Sequence, residues 1–186
     1  MKRPILLVVL AALGACAPRE GPSPLLARNE IVARTLMDAW ESGDPDVLTD
    51  LFAPDAVYDD FPNQMQYQGI QEIVGYVEHV QDWADGLSID VSAVHPSEEG
   101  ATVEWVFSAT QARPIGTRVP VATGREVVLN GVTILEIRNG RIHRAADYID
   151  ALALVLQLGG EVRMPGGGVI RLDDLLPPPD TAAPQP

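Results

Sequence analysis

The 186-residue chain holds a single cysteine, Cys16, so no disulfide can form within it. Basic side chains are scarce too: 13 Lys and Arg against 26 Asp and Glu leave a formal net charge of −13. With no Lys/Arg cluster to offset it, that balance excludes a nucleic-acid partner, whose phosphates would be repelled. Only three histidines occur, His79, His95 and His143, and none stands at the spacing of a metal site. A P-loop, a nucleophile elbow and a dinucleotide fingerprint are all missing, so neither a metal nor a cofactor is expected. The longest apolar run, near the N-terminus, is too short to span a bilayer.

A chain of this length suits one domain with a real core rather than two. Its first residues read as targeting. Met1-Lys2-Arg3 is basic and Ile5 to Leu13 is apolar, the layout of an export signal. The run ends in Leu13-Gly14-Ala15-Cys16, which resembles the bacterial lipobox. That resemblance implies lipidation of Cys16 and cleavage ahead of it, with the protein anchored on the periplasmic or cell-surface side. Acyl chains hold a protein at a membrane by roughly 0.8 kcal/mol per buried CH₂. Residues 1–15 are thus expected to be a signal and residues 16–26 a polar, proline-bearing tether.

The stretch from Arg125 to Gly159 carries the clearest pattern. Arg125 to Arg138 is rich in Val, Ile, Leu and Thr, and Asn139-Gly140 follows as a type I′ hairpin signal. Arg141 to Asp150 returns as a second strand, and Ala151 to Leu158 is a short apolar helix stopped by Gly159-Gly160. Upstream, Leu26, Ile31, Leu36, Met37 and Trp40 recur at helical intervals up to Gly43. Asp44 and Pro45 suit the N-cap and N1 of a second helix with Leu48, Leu51 and Phe52 on its apolar face. Ala56 to Asp60 reads as a short strand broken at Phe61-Pro62-Asn63, and Ile70 to about Trp83 as a third helix. Leu87 to Val94 and Ala101 to Gln111 alternate as strands. The expected order is helix, helix, strand, helix, four strands and a helix, an α+β class with a mostly antiparallel sheet. Strong curvature with the helices on the concave side would leave a cone-shaped pocket. Beyond Gly160, Val169 to Leu172 suits one edge strand, and Pro177 to Pro186 is disordered by composition.

Gly140-Arg141-Ile142, Asp147-Tyr148-Ile149-Asp150 and Gln157-Leu158-Gly159 stand in the order and spacing of a known closing segment. In them the chain resembles SnoaL-like polyketide cyclases of the nuclear transport factor 2-like superfamily, over residues 27–160. The resemblance implies the cone-shaped fold, a small apolar ligand, and homodimerisation through the outer sheet face. Its relatives use pocket carboxylates for proton transfer as cyclases, ketosteroid isomerases and epoxide hydrolases.

Asp147 is the sharpest candidate for such chemistry. It lies mid-strand with His143, Ala145 and Ile149 on the same alternating face. If that face meets the pocket, burial lifts the carboxyl toward a general acid/base range; if it meets solvent, Arg144 or Arg141 would pair with it. Asp150, of opposite parity, suits the N-cap of the last helix. SnoaL-like cyclases often carry Gly-Thr-His near the end of the strand 101–111, and here Ala109-Thr110-Gln111 stands there. Glutamine can orient a carbonyl but cannot relay a proton at neutral pH. Trp105 and Phe107 occupy the positions where limonene epoxide hydrolases place polar residues, which speaks against that chemistry. Tyr58, Asp59 and Asp60 form either a solvated acidic turn or, with Tyr76, an imitation of the isomerase pairing of carboxylate and tyrosine. Tyr58, Tyr76, Trp83, Trp105, Phe107, Gln111 and His143 are therefore expected to line the pocket around Asp147. Two functions stay open: cofactor-free acid/base chemistry through Asp147, or a ligand-binding or interaction module of the cell envelope with no chemistry.

Overall fold

A computed structural model describes residues 23–175. Helix α1 (Pro24–Ser42) starts on Ser23, whose side chain accepts from the Leu25 amide, and stops where Gly43 turns left-handed at φ 68°. Helix α2 (Pro45–Leu51) is capped by Asp44, which accepts from the amides of Asp46 and Val47, with Pro45 in the first turn. Strand β1 (Phe52–Asp60) follows without a loop and pairs with β2 (Met65–Gln68), then α3 (Ile70–Trp83) crosses over. Phe52, expected on the helix, is instead the first residue of the strand, and β2 is an element the sequence pattern did not disclose. Its four residues are mostly exposed, so no buried face stamps a period on them.

Four long strands complete the sheet: β3 (Ala84–Pro96), β4 (Gly100–Gln111), β5 (Glu126–Arg138) and β6 (Arg141–Ile149). The order across it is β2-β1-β6-β5-β4-β3, antiparallel throughout except that β1 runs parallel to β6. Asn139 and Gly140 join β5 to β6 with φ of 54° and 80°, the paired positive values that a type I′ turn requires. Helix α4 (Ala151–Gln157) is capped by Asp150, which accepts from the Ala153 amide at 2.9 Å. Gln157 then ties it to the sheet, its amide accepting from Val128 N–H and donating to Val128 C=O. The fold is the α+β cone of the nuclear transport factor 2-like class, a curved, mostly antiparallel sheet with helices.

Past Gly160, Val162–Arg163 (β7) and Val169–Ile170 (β8) pair with each other and not with the main sheet. A single edge strand was expected; the Gly166-Gly167 turn, positive in φ at both residues, lets the segment close on itself instead. Cys16, the tether up to residue 22 and the proline-rich tail lie outside the described residues.

Packing decides where the cone is solid and where it is hollow. At one end α1 lays Ala33, Leu36 and Met37 against the sheet, where Val103, Leu135, Ile137 and Ile142 are buried. Toward the other end of β4, β5 and β6 the inward positions are Trp105, Phe107, Leu129, Thr133, Asp147 and Ile149, and no helix fills the space above them. A cavity of about 360 Å³ remains there.

Candidate functional site

The cavity wall is mostly aromatic and aliphatic. Trp40 comes from α1, Tyr76, Val80 and Trp83 from α3, Tyr67 and Met65 from β2, and Trp105 and Phe107 from β4. Ile115, Gly116, Thr117 and Arg118, from the loop between β4 and β5, reach over its mouth. Asp60 and Asp147 interrupt this wall. They are partners in the β1–β6 register, on adjacent strands with inward parity.

Asp147 is only 7% exposed, and both of its oxygens are engaged. Tyr58 Oη donates to Oδ2 at 2.6 Å, and Thr133 Oγ1 donates to Oδ1 at 2.6 Å. Thr133 in turn accepts from Trp105 Nε1 at 2.8 Å, so its own hydroxyl proton is committed to the carboxylate. Burial raises the Asp147 carboxyl from 3.8 to about 6. The bonds from Thr133 and Tyr58 pull it back down, while the charge of Asp60 adds to the rise. The tyrosines stay neutral: burial, and then the charge of Asp147, hold both Tyr58 and Tyr76 well above the ordinary phenol value. Asp60 accepts from the Asn63 amide at 3.2 Å and from Asn63 Nδ2 at 2.8 Å, which fixes it in the turn after β1.

A glycine makes this arrangement fit. Gly131 pairs with Trp105 across β4 and β5. A Cβ on it would lie 2.2 to 2.5 Å from three carbons of the indole six-membered ring. The ring face therefore covers Gly131, and that seat points Nε1 at Thr133.

The residues named from the sequence fall into three groups. Tyr76, Trp83, Trp105, Phe107 and Asp147 all line the cavity. Tyr58 is wholly buried behind Asp147 and reaches the cavity only through it. Gln111 and His143 do not line it. Gln111 is fully buried, and its amide is spent on the loop between β4 and β5. It donates to Arg113 C=O and Val121 C=O and accepts from Thr123 N–H and Thr123 Oγ1. His143 sits at an irregularity: Ile137 pairs with Ile142 but Glu136 with Arg144, so one extra residue bulges out of β6. The bulge resets parity, and Ile142, not His143, joins Ala145 and Asp147 on the inner face. Asp59 points the other way and pairs with Arg144 at 2.7 Å. Sequence reasoning missed Thr133, whose signal was a lone hydroxyl on the inward parity of an otherwise aliphatic strand. Trp40 and Tyr67 carried no signal that separates cavity wall from core.

Among the described residues no cluster of His, Cys, Asp and Glu is arranged to hold a metal, and no helix is long and apolar enough to cross a membrane. Residues 33–145 match the SnoaL-like domain. The chain belongs to the SnoaL-like domain family. No curated protein matches it significantly. The SnoaL-like domain superposes on TsrD from Streptomyces laurentii with a TM-score of 0.63 at 24% identity, covering 72% of this chain and 96% of that one. A protein of Jannaschia sp. CCS1 named as a SnoaL-like polyketide cyclase gives a TM-score of 0.68 at 18% identity, covering 75% and 96%. AclR from Streptomyces galilaeus gives 0.63 at 20% identity, covering 75% and 90%. Identities this low carry the fold and not the reaction.

Proposed function

We propose that the domain binds a small, largely apolar molecule in its cone and that Asp147 moves a proton to or from it without a cofactor. One observation carries this reading: a carboxylate at mid-strand in an apolar cavity, with a pKa near 6, where packing alone would favour an aliphatic residue. At neutral pH Asp147 is ionised and can take a proton from an acidic C–H next to a carbonyl. Tyr58 and Thr133 hold its oxygens in place. Tyr76 lines the same cavity with a neutral phenol, the form needed to donate a hydrogen bond to the oxyanion that such a reaction develops. Isomerisation, cyclisation and dehydration share that first step.

The three tryptophans, Trp40, Trp83 and Trp105, all line the cavity, so intrinsic fluorescence reports occupancy. Proton transfer can be followed by deuterium exchange into an enolisable ketone such as 2-tetralone, read by NMR. Exchange should be catalysed, rise with pH through about 6, and vanish in Asp147→Asn while quenching by the ketone persists. Exchange that survives in Asp147→Asn removes the catalytic role and leaves a binding module. One observation favours that second reading. Gln111, where similar cyclases carry histidine, is consumed by loop contacts.

Export and lipidation at Cys16 form part of the same proposal, supported by the basic, apolar and lipobox-like order of residues 1–16. Cys16→Ser should move the protein from the membrane fraction to the soluble one; retention without acylation refutes the anchor. Homodimerisation through the outer sheet face is supported by the exposed Val128, Ile134 and Tyr148 there. A monomer mass by light scattering removes it.

A further inference from the structure

Two carboxylates face the cavity and, among the described residues, neither is paired with a basic side chain, although His79 and Arg118 also line the wall. Residues 23–175 contain no lysine, and among them no arginine or histidine nitrogen comes within 4.0 Å of Asp60 or Asp147. All the hydrogen bonds that reach the two groups come from neutral donors: Tyr58, Thr133 and Asn63. Arg118 is the only arginine on the cavity wall, and it stands exposed at the mouth. It gives Nη1–H to Asn63 Oδ1 at 3.0 Å, not to either carboxylate. Two adjacent buried carboxylates without a cation are costly unless the space beside them receives one.

That space is walled by six aromatic residues, all three tryptophans among them. Trp40 and Tyr76 meet edge to face at 5.3 Å, and Tyr67 stacks on Tyr76 at 4.3 Å, which builds one continuous π surface. Trp105 lies with one indole face on Gly131, leaving the other to the cavity. Aromatic faces around a charge-bearing floor attract quaternary and tertiary ammonium groups, most strongly where the contact is desolvated. An overall charge of −13 would draw a cation toward the molecule before it meets the site.

We propose that the ligand of this cavity is an amine: an apolar body bearing an ammonium group that lies beside Asp60 and Asp147 and against the aromatic wall. The proposal rests on the reading of the cone as a ligand site and adds the charge of the ligand to it. It makes no demand on the proton-transfer step.

Three benzyl probes separate the possibilities, each titrated against the purified protein by tryptophan fluorescence. They are benzyltrimethylammonium, its uncharged carbon isostere neopentylbenzene, and phenylacetate as an anion. The cation should bind at least tenfold more tightly than the isostere, and the gap should shrink below threefold in Asp60→Asn and in Asp147→Asn. The wild-type comparison decides by itself, so a variant that fails to fold does not blunt the test. Equal affinity for cation and isostere overturns the amine while leaving the apolar ligand site intact. Tighter binding of phenylacetate overturns it in favour of anion recognition by Arg118. Failure of all three to bind removes the ligand site along with the amine.

Discussion

Asp147→Asn is expected to remove a pH-dependent penalty that the wild-type protein carries at neutral pH, although it alters the most connected polar group in the cavity. A carboxyl that titrates at 3.8 when unfolded and at about 6 when folded keeps its proton more readily in the native state. Between those two values the folded chain binds more protons than the unfolded one, so stability falls as pH rises through that window. At about 1.4 kcal/mol per pH unit, the full loss reaches roughly 3 kcal/mol by pH 7. Asparagine has the same shape and cannot ionise, so its stability should lack this decline. Urea unfolding followed by tryptophan fluorescence, at steps from pH 4 to pH 8, gives both profiles. Wild type should lose about 2.5 kcal/mol more than the variant across the range, the remainder being lost below pH 4. The comparison is made within each protein, so a changed hydrogen bond to Tyr58 or Thr133 shifts a whole curve and leaves its slope. Superimposable slopes would refute the argument, since they would mean that burial does not perturb this carboxyl. A destabilising group kept in a core is also what a functional site looks like energetically.

Three further outcomes follow from the same geometry. Tyr58→Phe removes a donor that favours the ionised form, so the Asp147 carboxyl should titrate above 6 by carbon-13 NMR; an unmoved value would show that the 2.6 Å bond does little. Gly131→Ala places a methyl 2.2 Å from the Trp105 ring and should cost roughly 1–3 kcal/mol in urea unfolding while shifting the emission spectrum. Wild-type stability there would mean that the indole has room to move. Gln111→Ala strips the loop between β4 and β5 of its buried partner and should cost roughly 1–3 kcal/mol for the groups left unpaired. Faster limited proteolysis within residues 112–124 is the accompanying sign, and an unchanged cleavage rate would deny the loop its anchor.

Local chemistry was legible in the sequence wherever it is decided by neighbours along the chain. Asn139-Gly140 had to turn as it does because few other pairs accept two positive φ values in succession. Asp44 and Asp150 cap helices because a short acceptor side chain answers unsatisfied amides up to one turn away, and Pro45 suits the first turn because it has no N–H to leave unsatisfied. Alternation along 101–111 sorted that strand's faces, because its buried side repeats every second residue from Ala101 to Gln111 without interruption. Asp147 could be singled out in the same way.

What surrounds Asp147 was settled only by pairing between distant segments. Tyr58 lies 89 residues away and Thr133 lies 14 away, and they meet on one carboxylate because β1 and β5 flank β6 in register. Alternation predicted that His143 would share the inner face, but a one-residue bulge, invisible in side-chain polarity, reset the parity there. Gln111 has the inward parity of Trp105 and Phe107, yet its amide was claimed by a loop whose path no strand pattern encodes. The sequence determined that a carboxylate would stand on a strand of an α+β cone. Only the sheet order determined that it would be buried, held by two hydroxyls and set beside a second carboxylate, because burial and charge are properties of neighbours in space.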